Sequence, residues 1–339
     1  MKRNLVLSVL ILGVVFAALP ARGESIRLGA AGAQELRIPV GPRGAALAGA
    51  AIADASGVEA LYWNPAGAAS QEGTELLFST MSYLLDSDVH YLGATQPFGE
   101  RFTLGFAVKV VSLGEIAVTT EEAGGVTGER YSPTNTVVGL TLSRQLAERV
   151  AFGVTGHLIH ESIRNETATG AAFDVGFQYD PSWRGMRVGA VVKGFGPKMR
   201  YEGSDFVASL EFPDADPSGS PRSTVTESAA FELPATFQVG VSFDGYHDES
   251  SRLLLSSAFQ SNSFAANEYR VGAEYEWREQ VYLRGGTAAS PQDDYTWGVT
   301  FGGGVRTNLG ESRVFIDYAR QSTSEYFDDQ NVVSLRFQF

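Results

Sequence analysis

A set of charged residues stands at alternate positions along the body of this chain: Arg101, Lys109, Asp174, Arg187, Lys193, Arg270, Glu274, Glu276, Arg284, Arg306, Asp317 and Arg336. Their neighbours in sequence are largely apolar or aromatic. Such charges share one polar face only where the backbone has a side-chain period of two. Mixed charges on an enclosed face have two uses. They can grip the polar or carboxylate head of a ligand, or they can pair with charges on a second segment and hold it in place. The second use is favoured here, with Arg37, Arg43, Asp54 and Glu59 as partners. Arg270, Glu274, Arg284, Arg306, Asp317 and Arg336 are the principal candidates for the face that meets them.

Catalytic spacing is absent. The sequence has no nucleotide loop, no zinc-protease helix motif, no nucleophile elbow and no zinc spacing. With no cysteine, disulfides, thiolate metal sites and thiol nucleophiles are excluded. His157 and His160 are three apart, which on a strand places them on opposite faces and rules out a shared metal. Asp86-Ser87-Asp88 reads as a solvated turn, Asn165-Glu166-Thr167 as a chance glycosylation pattern, and Gly302–Gly304 as part of a strand, not a phosphate loop. Neither an enzyme, a metal nor a cofactor is expected. The net charge of -13 repels phosphate, so nucleic acid is not an expected partner.

The elements that carry these residues are strands with two unlike faces. Tyr269, Val271, Ala273, Tyr275 and Trp277 alternate with Arg270, Gly272, Glu274 and Glu276. Ala235, Phe237, Val239, Val241 and Phe243 alternate with Thr236, Gln238, Gly240 and Ser242, and Phe173, Val175, Phe177 and Tyr179 with Ala172, Asp174, Gly176 and Gln178. Tyr295, Trp297, Val299 and Phe301 read as another lipid-type face. The pattern predicts strands near 74–83, 88–97, 101–112, 134–146, 149–161, 169–180, 185–194, 233–243, 251–260, 268–277, 280–289, 295–307, 312–321 and 330–339. That is an even set of the length a tilted membrane strand needs. Hydrophobic residues make up 44%, yet mean hydropathy is only -0.06, as alternation requires. Short connections alternate with longer ones, chiefly 113–133 and 195–232. The expected fold is all-β, a transmembrane antiparallel up-and-down barrel of about fourteen strands, with a short helical N-terminal plug. The final strand ends on an apolar face of Val333, Leu335, Phe337 and Phe339. Phe337 and Phe339 are the expected signal to the outer-membrane barrel assembly machinery, and outer-membrane lipid is the expected surrounding.

The N-terminus divides into two further regions. Lys2 and Arg3, the apolar stretch from Leu5 to Leu19, and the small residues Ala21 and Gly23 predict a signal peptide over 1–23, cut before Glu24. Its removal takes away Lys2, Arg3 and Arg22 and no acid, leaving 23 basic against 39 acidic residues and a charge of -16. Residues 24–72 lack alternation and are rich in Ala and Gly; they form the expected plug, ahead of the barrel over 73–339. Glycine recurs on the inward faces at Gly105, Gly139, Gly153, Gly176, Gly189, Gly240, Gly272, Gly286, Gly298, Gly302 and Gly304. Glycine weakens a strand, so its repetition points either to close approach by something, with 42–53 as the candidate, or to relief of barrel curvature.

In the plug segment stand Gly41, Arg43, Gly44, Gly49, Asp54-Ala55-Ser56, and Ala60-Leu61-Tyr62-Trp63-Asn64-Pro65-Ala66-Gly67. This segment followed by strands resembles the FadL-like outer-membrane proteins, and within them the PorV/PorQ family. The resemblance implies a barrel occluded by its N-terminal segment, located in the cell outer membrane. It implies either passage of small hydrophobic or amphipathic molecules, or a non-transporting scaffold that holds a secreted cargo protein in type IX-like secretion or surface attachment. An open diffusion porin is disfavoured by the plug.

Overall fold

The computed structural model describes residues 31–99, 101–120, 124–210, 222–292, 295–323 and 327–339. The signal peptide and the cut before Glu24 lie outside the described residues. Fourteen strands form the barrel: β1 (Glu75–Ser82), β2 (Asp88–Phe98), β3 (Phe102–Ser112), β4 (Thr134–Ala147), β5 (Val150–Ile163), β6 (Glu166–Tyr179), β7 (Arg187–Phe195), β8 (Thr236–His247), β9 (Ser251–Asn262), β10 (Glu268–Trp277), β11 (Val281–Ala289), β12 (Trp297–Leu309), β13 (Ser312–Thr323) and β14 (Gln330–Gln338). Each pairs antiparallel with its neighbours in sequence. The barrel closes where β1 meets β14, from Glu75 opposite Gln338 to Ser82 opposite Asn331. Closure leaves no strand edge to be satisfied.

Alternation sets the two faces. Phe78, Leu142, Leu158, Val271, Leu283 and Val299 are exposed on the outside, whereas Ser143, Thr155, Gln238, Ser242 and Thr300 are buried within. At the end that carries both barrel termini, exposed rings collect outside: Phe98, Phe102, Tyr179, Trp183, Tyr246, Tyr275, Trp277 and Phe339. This is the girdle expected where a barrel wall meets a membrane interface.

The wall departs from the alternation in one place that matters. Between β12 and β13, Trp297 lies opposite Thr323 but Thr300 lies opposite Gln321, so β12 carries one extra residue. A bulge of this kind turns over every side chain beyond it. Tyr295 and Trp297 therefore face inward, where Tyr295 donates to Glu268 and Trp297 lies 6.3 Å from the ring of Tyr83. This corrects their expected place beside Val299 and Phe301. A second irregularity in β7 sets Phe195 opposite Phe173 and Val192 opposite Val175, with Gly194 at φ +66°.

Two strand pairs outside the barrel were not anticipated: Ile116–Thr120 with Gly125–Tyr131, and Val207–Leu210 with Arg222–Val225. Both project from the long connections at the end away from the barrel termini. A short strand, Tyr201–Gly203, also lies against the start of β6.

Residues 31–72 run through the lumen as short helical turns, among them Gln34–Arg37, Pro42–Ala46, Ala51–Ala53, Ala60–Trp63 and Pro65–Ser70. The segment begins at the far end, where Ala31 bridges to Glu232, and leaves beside Phe339 at the other. Leu47, Ile52, Val58, Ala60 and Ala66 are fully buried between segment and wall.

Candidate functional site

The lumen has two layers. In the one nearer the barrel termini, the segment packs directly on wall backbone. A Cβ on Gly153 would meet the Pro65 backbone; on Gly176, Asn64 and Pro65; on Gly189 and Gly240, Ile52; on Gly272 and Gly286, Leu47; on Gly302, Ala46; on Gly105, Leu61. The approach thus reaches beyond 42–53 to Pro65. Gly93, against Val58, joins this ring unanticipated. Gly139, Gly298 and Gly304 do not join it: they face His157, Ser322 and Asp317.

Asn64 fixes the turn after the Ala60–Trp63 helix. Its Nδ2 donates to the Ile52 carbonyl at 2.9 Å and to the Phe177 carbonyl of β6 at 3.2 Å, while its Oδ1 accepts from Ala66 N–H. Pro65 supplies a fixed φ for the next turn, and its carbonyl accepts from Ser143 Oγ at 2.5 Å. Gly67 sits so close to the Ala55 carbonyl that no side chain fits. Trp63 covers Gly44, and its Nε1 donates to the Val40 carbonyl at 3.2 Å. Gly41 and Gly49 take φ of +77° and +76°, bracketing the Pro42–Ala46 helix where side chains are disfavoured.

Charge pairing crosses between segment and wall in the same layer. Arg43 pairs with Asp54, lies 3.8 Å from Glu59, and binds Glu274 of β10 at 2.9 Å. Arg284 binds the same Glu274 at 2.6 Å and also Asp317. Arg336 stands 3.8 Å from Glu75 and over the Phe315 ring. Burial raises the Glu59 carboxyl above its ordinary range, against the pull of Arg336 and Arg43. Arg306 is not brought here, correcting its place among the lumen candidates. It lies at the mouth and pairs with Glu279 at 2.9 Å, because the inward face of β12 ends there. Arg101, in a turn, and Arg187, the first residue of β7, are likewise exposed.

The second layer, away from the barrel termini, holds a cavity of about 630 Å³. The segment forms its floor with Tyr62 and Trp63, and strand ends form its walls with Tyr83, Tyr295 and Trp297. Lys193 lies 3.5 Å from the centre of the Tyr62 ring and Lys109 4.8 Å from it, a contact favourable to a cation. Lys109 Nζ donates to the Ile38 carbonyl, whereas Lys193 has no hydrogen bond or ion pair among the described residues. Arg270 pairs with Glu268 at 2.8 Å, and its Nε is buried without a partner. Arg37 reaches the same Glu268 at 3.3 Å. His157 and Asp174 pair at 3.0 Å on the inward face, while His160 turns outward to Thr169.

Sequence reasoning missed Glu35, Glu161, Glu268, Glu75 and Tyr201. Glu161, Glu268 and Glu75 lie at strand ends, where alternation is weakest as a signal. Glu35 and Tyr201 belong to stretches without it. No group of carboxylates and histidines suited to a metal occurs among the described residues.

No protein-family model matches the chain, and no curated protein matches it. Several solved structures share its fold. They include the CymD monoaromatic hydrocarbon channel, at TM-score 0.60 and 14% identity over 88% of this chain and 97% of that one. The Pseudomonas putida toluene transporter TodX follows, at 0.57 and 14% over 88% and 98%. A Pseudomonas aeruginosa FadL homologue matches at 0.55 and 14% over the same shares. At this identity the likeness is one of fold: the chain has the architecture of the FadL-like barrels.

Proposed function

We propose that the protein is an outer-membrane barrel that takes up a small hydrophobic or amphipathic molecule, with residues 24–72 as its plug. The cavity of about 630 Å³ carries this reading. Its volume suits a small ligand. Aromatic rings line it, and Lys193 presents an ammonium group that has no hydrogen bond or ion pair among the described residues. The hydrocarbon and toluene channels that share the fold support the same assignment. Purification of the intact barrel followed by native mass spectrometry tests it. A co-purified small molecule is expected, with reduced occupancy in Lys193→Met and Trp297→Ala. An empty barrel, together with no solute-specific uptake in proteoliposomes, would overturn the reading.

The residues Asp54 to Ser56 and Ala60 to Gly67 support placement in the PorV/PorQ branch, and with it a second reading as a scaffold for a secreted cargo protein. The two projecting hairpins favour that reading. Val126, Val207 and Val225 are exposed on them, beyond the wall. Crosslinking from position 126 in cells would capture a secreted protein if the scaffold reading holds, and only lipopolysaccharide or lipid if it does not. In both readings the signal peptide directs export. Phe337 and Phe339, stacked 6.4 Å apart on the outer face, contact the assembly machinery.

A further inference from the structure

Glu35 and Glu161 are 2% and 3% exposed, and neither is in an ion pair among the described residues. Glu161, on β5, accepts Ala33 N–H at one oxygen at 3.1 Å and the Tyr201 hydroxyl at the other. Glu35, one turn along the segment, accepts from Asn135 Nδ2 at 3.1 Å through Oε2. Its Oε1 is buried without a partner, and so is the Asn135 Oδ1. Further ties of this corner include Gly32 N–H to the Glu232 carbonyl at 3.1 Å and the Phe231 ring against Gly32. These contacts fasten the start of the segment across the cavity.

We propose that Glu35 and Glu161 form a proton-controlled clasp, closed while Glu35 holds a proton and loosened when both carboxylates are charged. Glu161 uses both oxygens as acceptors, so the proton of the pair belongs on Glu35. Charging Glu35 would add a second buried negative charge near Glu161, with no cation in contact with either among the described residues. Other groups face this corner. Lys109 on β3 favours the charged form, but its ammonium is already bonded to Ile38. On β5, His157 lines the same cavity and is paired with Asp174. Asn135 on β4 and Tyr201 are neutral. Arg37, on Glu35's own turn, is held by Glu268. Burial first, then Glu161, push the Glu35 carboxyl up to about 7. In the loosened state Glu35 reaches water and returns towards its ordinary range. The closed state therefore binds the extra proton between about pH 4.5 and 7. Clasp stability is full at the low end of that window and is lost as pH rises through the upper end.

The clasp governs access to the cavity of the proposed channel, but it is measured without ligand, so failure of the transport reading leaves it standing. The chain has no cysteine, so Gln34→Cys gives a single site for a spin label on the exposed side of the turn. In the full-length barrel the ratio of mobile to immobile label should rise on the order of a hundredfold from about pH 4.5 to 8, then level off. Glu35→Gln should keep the label immobile throughout. Infrared spectra give an independent reading. The part of the protonated carboxylic acid C=O stretch that is present at about pH 6 and lost by about pH 8.5 should be missing in Glu35→Gln, whereas any part from Glu59 is common to both proteins. A label equally mobile at both ends of the range overturns the clasp. So does a pH response that survives in Glu35→Gln, or a wild-type spectrum in which no carboxylic acid band is lost between about pH 6 and 8.5.

Discussion

The two layers of the lumen are built from the same strands and differ in what those strands present inward. Near the barrel termini the wall presents glycine, and segment backbone comes into contact at Gly153, Gly189, Gly272 and Gly286. There Arg43 and Arg284 are shared among Asp54, Glu274 and Asp317. Beyond it the wall presents Tyr83, Tyr295 and Trp297, which hold the segment off and leave a cavity. In that layer, among the described residues, Lys193 has a ring contact but no hydrogen bond or ion pair, and the Arg270 Nε and the Glu35 Oε1 are buried without a hydrogen bond. Side-chain size on the wall thus decides whether a lumen is filled by its own chain or left for something else. The filled layer shares its charges among several partners, though the Asp54 Oδ1 and the Arg336 Nε there are also buried without a hydrogen bond among the described residues.

Deleting residues 36–60 should erase the difference altogether. A barrel of fourteen strands has a lumen wide enough for water and ions, so planar-bilayer recordings should show a large, steady conductance in place of a nearly closed barrel. An intact protein that already conducts as widely would mean that the segment does not block the filled layer.

Arg43→Met attacks that layer without removing the segment. It leaves Asp54, Glu59 and Glu274 buried with less positive charge, and losing one partner of such a network costs about 3–5 kcal/mol. Frequent opening events and earlier heat modification on gels are expected. Wild-type traces would show that the pairing is incidental.

Glycine substitutions compare the layers directly. Gly176→Trp forces a ring into Asn64 and Pro65, and overpacking of this kind costs roughly 1–3 kcal/mol. Gly139→Val meets mainly the His157 and Thr155 side chains, which can shift, and should change opening far less. Equal effects at the two positions would undo the distinction between layers.

The smallest effect on the closed state is expected from Trp297→Ala. The ring stands at the cavity wall, so its loss should alter ligand occupancy by native mass spectrometry and leave the conductance of the empty barrel unchanged. A raised conductance would assign Trp297 to the seal instead.

Much of the wall was legible because lipid and lumen impose opposite demands on alternate residues. The strand positions agree with those expected to within a few residues at most ends, and Arg270, Glu274, Arg284, Asp317 and Arg336 all face the interior as alternation required. Arg306 shows where periodicity stops being informative, since facing inward at a strand end is facing the mouth. The inward turn of Tyr295 and Trp297 was illegible for a different reason: a bulge inserts one residue without any compositional mark, and two aromatic residues fit either face.

The order and direction of the strands follow from the sequence by itself, because a period of two is written locally and each strand needs only its neighbours. The same holds for the Asn64–Gly67 turn, whose residue types carry their own backbone preferences. Tertiary structure decided which side chains meet across the lumen. Arg43 and Glu274 are 231 positions apart, and Glu35 and Asn135 are 100 apart. Such pairs depend on strand register, on the bulges that shift it, and on the depth at which a segment without periodicity comes to rest. None of these is set by local preference, so the filled layer, the cavity and the carboxyl pair above it exist only once the barrel has closed around its own N-terminal segment.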